Sequence, residues 1–354
     1  MRNRDIMTIT WSTAAARFFR VALWAVVALT TGAAAASEPI REPVRLVFDT
    51  DIGNDVDDAM ALSLIHALAS RGECQLLAVT ITKHNQYAAP MVDLLNTFYG
   101  RPQTPIGVVR DGVTPQDGKY LRQLVTAEDD GRPRYPRALR RSDEAPEAVG
   151  LLRKVLAAQP YGSVVLVQVG FSTNLARLLD SRADDNCALT GRELVRQKVR
   201  LLSAMAGAFG EKKGRREYNI VTDLPAARKL FTHWPTPIVA SGWEIGNAIK
   251  HSSRSMREDY RYAKRHPLVE AYRHYRGLEN DQPTYDLTSV LYGVRPERGY
   301  FELSPPGRIT IEQDGTTSFH AEPHGPHRYL IVSAEQIVRV REAQEMLCSQ
   351  PPVK

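Results

Sequence analysis

Residues 44–68 read VRLVFDTDIGNDVDDAMALSLIHAL, and the reading of this stretch decides the fold. Val44 to Phe48 form a short β-rich apolar run, and from Asp58 to Leu68 apolar residues recur at helical spacing, so a strand gives way to a helix across one turn. Five aspartates crowd that turn: Asp49, Asp51, Asp55, Asp57 and Asp58. Carboxylates so placed repel one another, and capping the helix N-terminus employs only Asp57 or Asp58. A divalent cation accounts for more of the cluster. Hard cations such as calcium take roughly six to eight oxygen ligands, and Gly53 lets the backbone turn closely around an ion. Both uses, cap and cation site, are open at this point.

The alternation continues outward. Residues 75–82, 105–109, 163–170, 200–207 and 236–242 read as strands, and 90–100, 144–159, 172–181 and 224–234 as helices. Strands apolar on both faces, interleaved with helices, predict an α/β fold with a mostly parallel open sheet flanked by helices. In such sheets ligands sit outside the carboxyl ends of the strands. The aspartates, the stretch after Thr82, the turn after Val169 and the segment after Gly207 therefore share one rim. RITIEQDGTTSFHA (308–321) predicts a short C-terminal hairpin turning at Asp314-Gly315, and Ser333 to Gln336 a capping box opening a helix over 334–347. Residues 111–143 and 251–285 show neither period and are expected to be lids or binding loops.

At the N-terminus, Arg17 and Arg20 precede an apolar run (21–36) that ends in small residues before Ser37-Glu38-Pro39. This predicts a secretory signal peptide over 1–36, cleaved after Ala36, leaving one domain over 37–354 in a secreted or periplasmic protein with no stable membrane span after processing. A membrane anchor or a buried helix is the alternative; the run is shorter than the roughly 20 residues that span a bilayer. Removing 1–36 takes away four arginines and one aspartate, which brings the net charge from +6 to +3, too weak to imply a nucleic-acid partner. Cys74, Cys187 and Cys348 allow at most one disulfide and lack the spacing of a zinc site.

DTDIGNDVDDAMAL (49–62) resembles the DxDxGxDDAxAL signature of the nucleoside hydrolases, with Asp55 and Val56 as two extra residues. Further pieces follow in that family's order: VQVGFSTNLA (167–176), REYNIVTDLPAAR (216–228) and PTYDLTSVLY (283–292). The resemblance implies an inosine/uridine-preferring, calcium-dependent ribonucleoside N-ribohydrolase of purine and pyrimidine salvage, with a small-molecule ribonucleoside as partner and a homo-oligomer as the expected assembly. Calcium (Ca2+) would be held by Asp51, Asp58, Asp286 and the Val169 carbonyl, and Asp51 would take the proton of a calcium-bound water. Asp57, Asn85, Glu217 and Asn219, with Asp286, would grip the ribose hydroxyls; His84 competes with Asn85 for its part.

Two departures accompany the resemblance. Tyr285 stands where many members carry a histidine that protonates the leaving base, so either Tyr285 helps in another way or the proton comes from solvent or from a lid residue such as His274 or Tyr275. In MAGAFGEKKGRREYN (205–219) no asparagine precedes Asn219, whereas the family often has one there touching the 5′-hydroxyl. Trp243, Tyr272, Tyr275 and Tyr285 would stack a base or belong to the core. Two other functions compete. One is an exported calcium-dependent ribose- or nucleoside-binding relative without turnover, against which the retained Asp51 speaks. The other is a haloacid-dehalogenase-like phosphatase, against which Gly53 speaks.

Overall fold

In the computed structural model, which describes residues 42–353, the apolar runs assemble into one ten-stranded sheet. Nine of its strands are β1 (Val44–Thr50), β2 (Cys74–Lys83), β3 (Ile106–Val113), β4 (Val164–Gln168), β5 (Val199–Met205), β6 (Ile238–Ser241), β7 (Gly307–Ile311), β8 (Thr317–Ala321) and β9 (His327–Ile331). Their order is β8-β7-β9-β6-β5-β4-β1-β2-β3, with Glu302–Leu303 added beside β9. From β3 to β9 neighbouring strands run parallel, and β7–β8 is the expected antiparallel hairpin. The described residues belong to one compact unit, Arg41–Lys354.

The side-chain period of two explains why the inner strands are apolar throughout. Leu46 and Phe48 of β1, with Val165 and Val167 of β4, pack on one face of the sheet, while Val47, Val164 and Leu166 pack on the other. The first face is covered by α1 (Asp57–Ser70), α2 (Ala88–Phe98) and the C-terminal helix Ala334–Cys348, the second by the helices Ala148–Ala157, Thr173–Asp180 and Leu224–His233. Each fully buried Leu, Ile or Phe adds about 1.5–3 kcal/mol relative to exposure.

From β1 the chain moves outward through β2 and β3 and then returns to the other side of β1 as β4. The strand order thus reverses between β1 and β4, and a crevice opens above their carboxyl ends. Gly170 lets the two ends meet: a Cβ there would lie 2.5 Å from the Asp51 nitrogen and 2.8 Å from the Thr50 carbonyl carbon.

The capping box is present at Ser333 and Gln336. Residues 251–285, expected as a loop, instead carry the helices Ser253–Glu258 and Pro267–Arg276, capped by Ser252 and His266. The second of these buries only Pro267, Leu268, Ala271 and Tyr272. So narrow an apolar stripe is lost among Arg, His and Tyr. Residues 111–143 are mostly irregular, with a short helix, Leu121–Val125. Cys74, Cys187 and Cys348 are free thiols. The segment read as a signal peptide lies outside the described residues; among those described, no helix is long and apolar enough to cross a membrane.

Candidate active site

Asp49, at the end of β1, points into the sheet, where it accepts hydrogen bonds from Thr80 Oγ1 (2.5 Å) and Asn174 Nδ2 (2.9 Å). It is a buried anchor whose carboxyl burial pushes up to about 7. Asn174, in the TN segment, thus holds β1 to the helix after β4. The next residue, Thr50, donates its hydroxyl to Asp58.

Asp51 opens the loop above β1 and lies almost fully buried. Its Oδ2 accepts from Asn54 Nδ2 (2.5 Å), and Asn54 Oδ1 accepts in turn from Lys83 Nζ (2.6 Å). Burial pushes the Asp51 carboxyl up to about 7, reinforced by Asp55 and opposed by the Asn54 bond and by Lys83. Lys83 is itself buried. Burial lowers the pKa of its ammonium, while Asp51, Asp58 and Asp117 favour the charged form.

Gly53 takes a φ of +111°, which non-glycine residues rarely adopt, and a Cβ there would run into the Leu121 side chain. Beside it, Tyr120 donates to the Asp55 carbonyl at 2.8 Å. The aspartate loop is therefore clamped by the short helix of the 111–143 segment.

Four carboxylates converge beyond this loop. One oxygen from each of Asp55, Asp57, Asp58 and Asp286 lies within 4.8 Å of the other three. Asp286 arrives on the helix Tyr285–Val294, whose first turn is tied down where the Asp286 backbone N–H donates to Asp57 Oδ2 (3.2 Å). Asp57 Oδ1 is buried without a hydrogen-bond partner. Burial and mutual repulsion raise the carboxyls of Asp57, Asp58 and Asp286 well above the ordinary carboxylate range. An all-oxygen set with an unsatisfied buried oxygen fits a hard divalent cation, because a cation cancels the repulsion and fills the orphaned valence.

A cavity of about 550 Å³ opens beside the cluster. Asp51, Asp55, Asp286, Val169, Glu217 and Asn219 line its inner part, with Trp243, Tyr275, Tyr285, Arg215 and Arg216 also on its walls. Asn219 Nδ2 donates to the Val169 carbonyl at 2.7 Å. Glu217 caps the helix Tyr218–Thr222, accepting from the backbone N–H of Asn219 (2.8 Å), Ile220 (3.2 Å) and Gly207 (3.3 Å), and burial raises its carboxyl to about 7. Trp243 stacks on Tyr285 with centroids 6.3 Å apart.

Seven of the eight residues singled out from sequence, Asp51, Asp57, Asp58, Val169, Glu217, Asn219 and Asp286, gather at this crevice. Asn85 does not line it: its amide donates to the Pro115 carbonyl (2.8 Å) and Asp117 (2.9 Å), bracing the 111–143 segment. Asp51 is outside the four-carboxylate group and Asp55, one of the two extra residues, is inside it. Of the aromatic set, Tyr272 is core, its hydroxyl donating to the Asn280 carbonyl at 2.6 Å, and His274 is exposed and off the cavity. Asn54, Lys83, Arg215 and Arg216 were not anticipated. A lysine ending a buried strand was the one signal available for Lys83.

An open, mostly parallel sheet with an acidic crevice at its switch point defines the class: an α/β protein whose carboxylate cluster could hold a metal ion beside a cavity. Over residues 46–338 the chain matches the inosine-uridine preferring nucleoside hydrolase family; it belongs to that family, and is a glycosidase of the N-ribohydrolase type. No curated protein matches it in sequence. Among solved structures it is similar to a plant nucleoside hydrolase (19% identity, 87% of this chain and 100% of that one, TM-score 0.63). It also resembles the purine-preferring ribonucleoside hydrolase from Gardnerella vaginalis (16%, 86% and 98%, TM-score 0.63). A third is the inosine-uridine preferring nucleoside hydrolase from Bacillus anthracis (16%, 86% and 99%, TM-score 0.63). At these identities the likeness is one of fold. The family leaves no place for the phosphatase alternative.

Proposed function

We propose that the protein hydrolyses the N-glycosidic bond of ribonucleosides, releasing free base and ribose, with a calcium ion at the aspartate cluster. The observation that carries this reading is the convergence of Asp286 on Asp55, Asp57 and Asp58 at the switch point, beside a cavity of about 550 Å³. Asp55, Asp57, Asp58 and Asp286 are the residues on hand to hold the ion, with Asp51 and the Val169 carbonyl on the same rim. Bound there, calcium supplies positive charge against the carboxylates, acidifies a water and orients the ribose diol.

The remaining chemistry belongs to the side chains. Asp51 accepts the proton of the attacking water, as a carboxylate on the cavity wall beside the aspartate cluster. Asn54, braced by Lys83, fixes the direction in which Asp51 points. Asp57, Asp286, Glu217 and Asn219 hold the ribose hydroxyls, while Asn85 supports them through the 111–143 segment. As the C1′–N bond lengthens, positive charge grows on the sugar, and the surrounding carboxylates stabilise it. Tyr275 and Tyr285 keep their phenolic protons, since burial raises both, Tyr285 to about 12, and both line the cavity as hydroxyl donors for the departing base. Tyr275 and Tyr285, on the same wall, offer aromatic surface against which that base packs.

Export completes the reading: the segment 1–36 directs the chain out of the cytoplasm, and mass spectrometry of the protein from its native compartment is expected to find a chain starting at Ser37. A homo-oligomer is the proposed assembly, checked by light scattering. The deciding experiment measures release of free ribose from purine and pyrimidine ribonucleosides, with and without a calcium chelator and in Asp51→Asn. Chelator-sensitive release that Asp51→Asn abolishes is the expected result. Absence of release from every nucleoside, with calcium still raising the melting temperature, points instead to the binding relative.

A further inference from the structure

The inner part of the cavity is acidic and the EKKGRR segment on its wall is basic. Arg215 and Arg216 line it, and Lys212 and Lys213 precede them on the same exposed segment. Arg215 rests on an aromatic side chain: its guanidinium carbon lies over the Trp243 ring, 3.7 Å from the centroid, and Trp243 is itself stacked on Tyr285. Among the described residues no salt bridge or side-chain hydrogen bond engages Arg215, so its donors are free. Arg216 has Asp314 of the hairpin turn as a neighbouring charge. A guanidinium presents five donors in a rigid fork suited to phosphate oxygens, and an aromatic shelf pre-orients that fork.

A neutral nucleoside gives these groups nothing to neutralise. Resting on the proposed riboside chemistry, the rest follows by elimination. With the 2′- and 3′-hydroxyls at the carboxylates, only the base on C1′ and the CH2 on C4′ extend outward. The common bases are neutral near pH 7, so the anion that Arg215 suits belongs on the 5′ oxygen. We infer that this wall is an anion subsite and that the preferred substrate is a ribonucleoside bearing a 5′-phosphate. In the reaction the C1′–N bond breaks with its electron pair going to the base nitrogen, which takes up a proton. Water oxygen bonds to C1′ and loses a proton to Asp51, and the phosphate ester leaves intact as ribose 5-phosphate.

The test compares kcat/KM for inosine and inosine 5′-monophosphate in wild type, Arg215→Gln and Arg215→Lys. A charge-assisted pair predicts that wild type favours the monophosphate by about tenfold or more. Arg215→Gln removes most of that ratio and Arg215→Lys keeps part of it; using a ratio cancels any loss of folded protein. The preference also shrinks in about 1 M salt, where the screening length falls to about 3 Å, because the guanidinium is exposed. Equal rates on both substrates, or a preference indifferent to Arg215→Gln, overturn the subsite while leaving the hydrolase intact. If neither substrate is cleaved, the hydrolase reading fails, and binding decides the subsite: ribose 5-phosphate must raise the melting temperature of calcium-loaded wild type more than ribose does, and that difference must vanish in Arg215→Gln.

Discussion

Gly170→Ala tests whether the β1–β4 switch point is as tightly built as described. The added methyl carbon would stand 2.5 Å from the Asp51 nitrogen, 2.5 Å from Thr82 Oγ1 and 2.8 Å from the Thr50 carbonyl carbon. Unstrained contacts need about 3.5 Å, so the strand ends must separate by roughly 1 Å. Two of the three atoms are backbone and cannot rotate away. Thr82 is also committed, accepting from the Phe171 N–H and donating to the Thr50 carbonyl, each at 3.2 Å. Overpacking of this kind costs about 1–3 kcal/mol. Because the displaced atom is the nitrogen of Asp51, a misplacement of about 1 Å also costs about 100-fold in turnover.

Urea unfolding and ribose release, measured side by side, read both effects. Gly150→Ala is the contrast: its Cβ would meet nothing closer than Glu147 Oε2 at 3.9 Å, within the helix Ala148–Ala157, and is expected to stabilise by about 0.5–1 kcal/mol. A Gly170→Ala protein within about 0.5 kcal/mol of wild type, the scatter of a neutral change, and with full ribose release refutes the close approach.

Calcium added to chelator-treated protein should raise the melting temperature, by the equivalent of about 2.7 kcal/mol at a concentration 100 times the dissociation constant. Asp286→Asn should remove most of that shift, and an unmoved melting curve in wild type would count against the cation site. Lys83→Met strands Asn54 Oδ1 and should cost about 1–3 kcal/mol, with kcat falling more than KM changes because Asp51 loses its brace; steady-state kinetics and urea melts report both. His66 is fully buried on α1, and burial, aided by Arg101, depresses its pKa from 6.5 to about 3. Above pH 6.5 it is neutral folded or unfolded. As pH falls from 6.5 toward 3 only the unfolded chain takes up the proton, and stability drops by about 1.4 kcal/mol per pH unit. Relative to wild type, His66→Gln should lose less stability between pH 6.5 and 4, and parallel pH profiles would contradict that sign.

Much of the fold was legible along the chain because its signals are local. The inner strands show continuous apolar runs and their helices a 3.6-residue stripe, and Ser333 with Gln336 announced the final helix through a bond pattern three residues wide. Local signals failed where the stripe was thin. Pro267–Arg276 buries one narrow edge, Tyr285–Val294 was read only as a motif, and β9 went unnoticed beside the hairpin it adjoins.

At the site, the residue types were legible and their employment was not. The sequence by itself determined that a strand would end in a cluster of carboxylates that repel unless a cation or a cap relieves them. The resemblance to the family had set Asp286 beside Asp58; only the tertiary structure showed that it arrives from 229 positions beyond Asp57 to bond that residue through its backbone N–H, and that Asp55 converges with them. The same holds for Asn85, turned to Pro115 and Asp117, and for Glu217, whose carboxylate caps a helix while lining the cavity. The physical reason is that a buried polar atom pairs with whichever donor or acceptor the packing brings within about 3 Å. That proximity is set by strand order and by glycines such as Gly170, and neither has a signature in neighbouring residues.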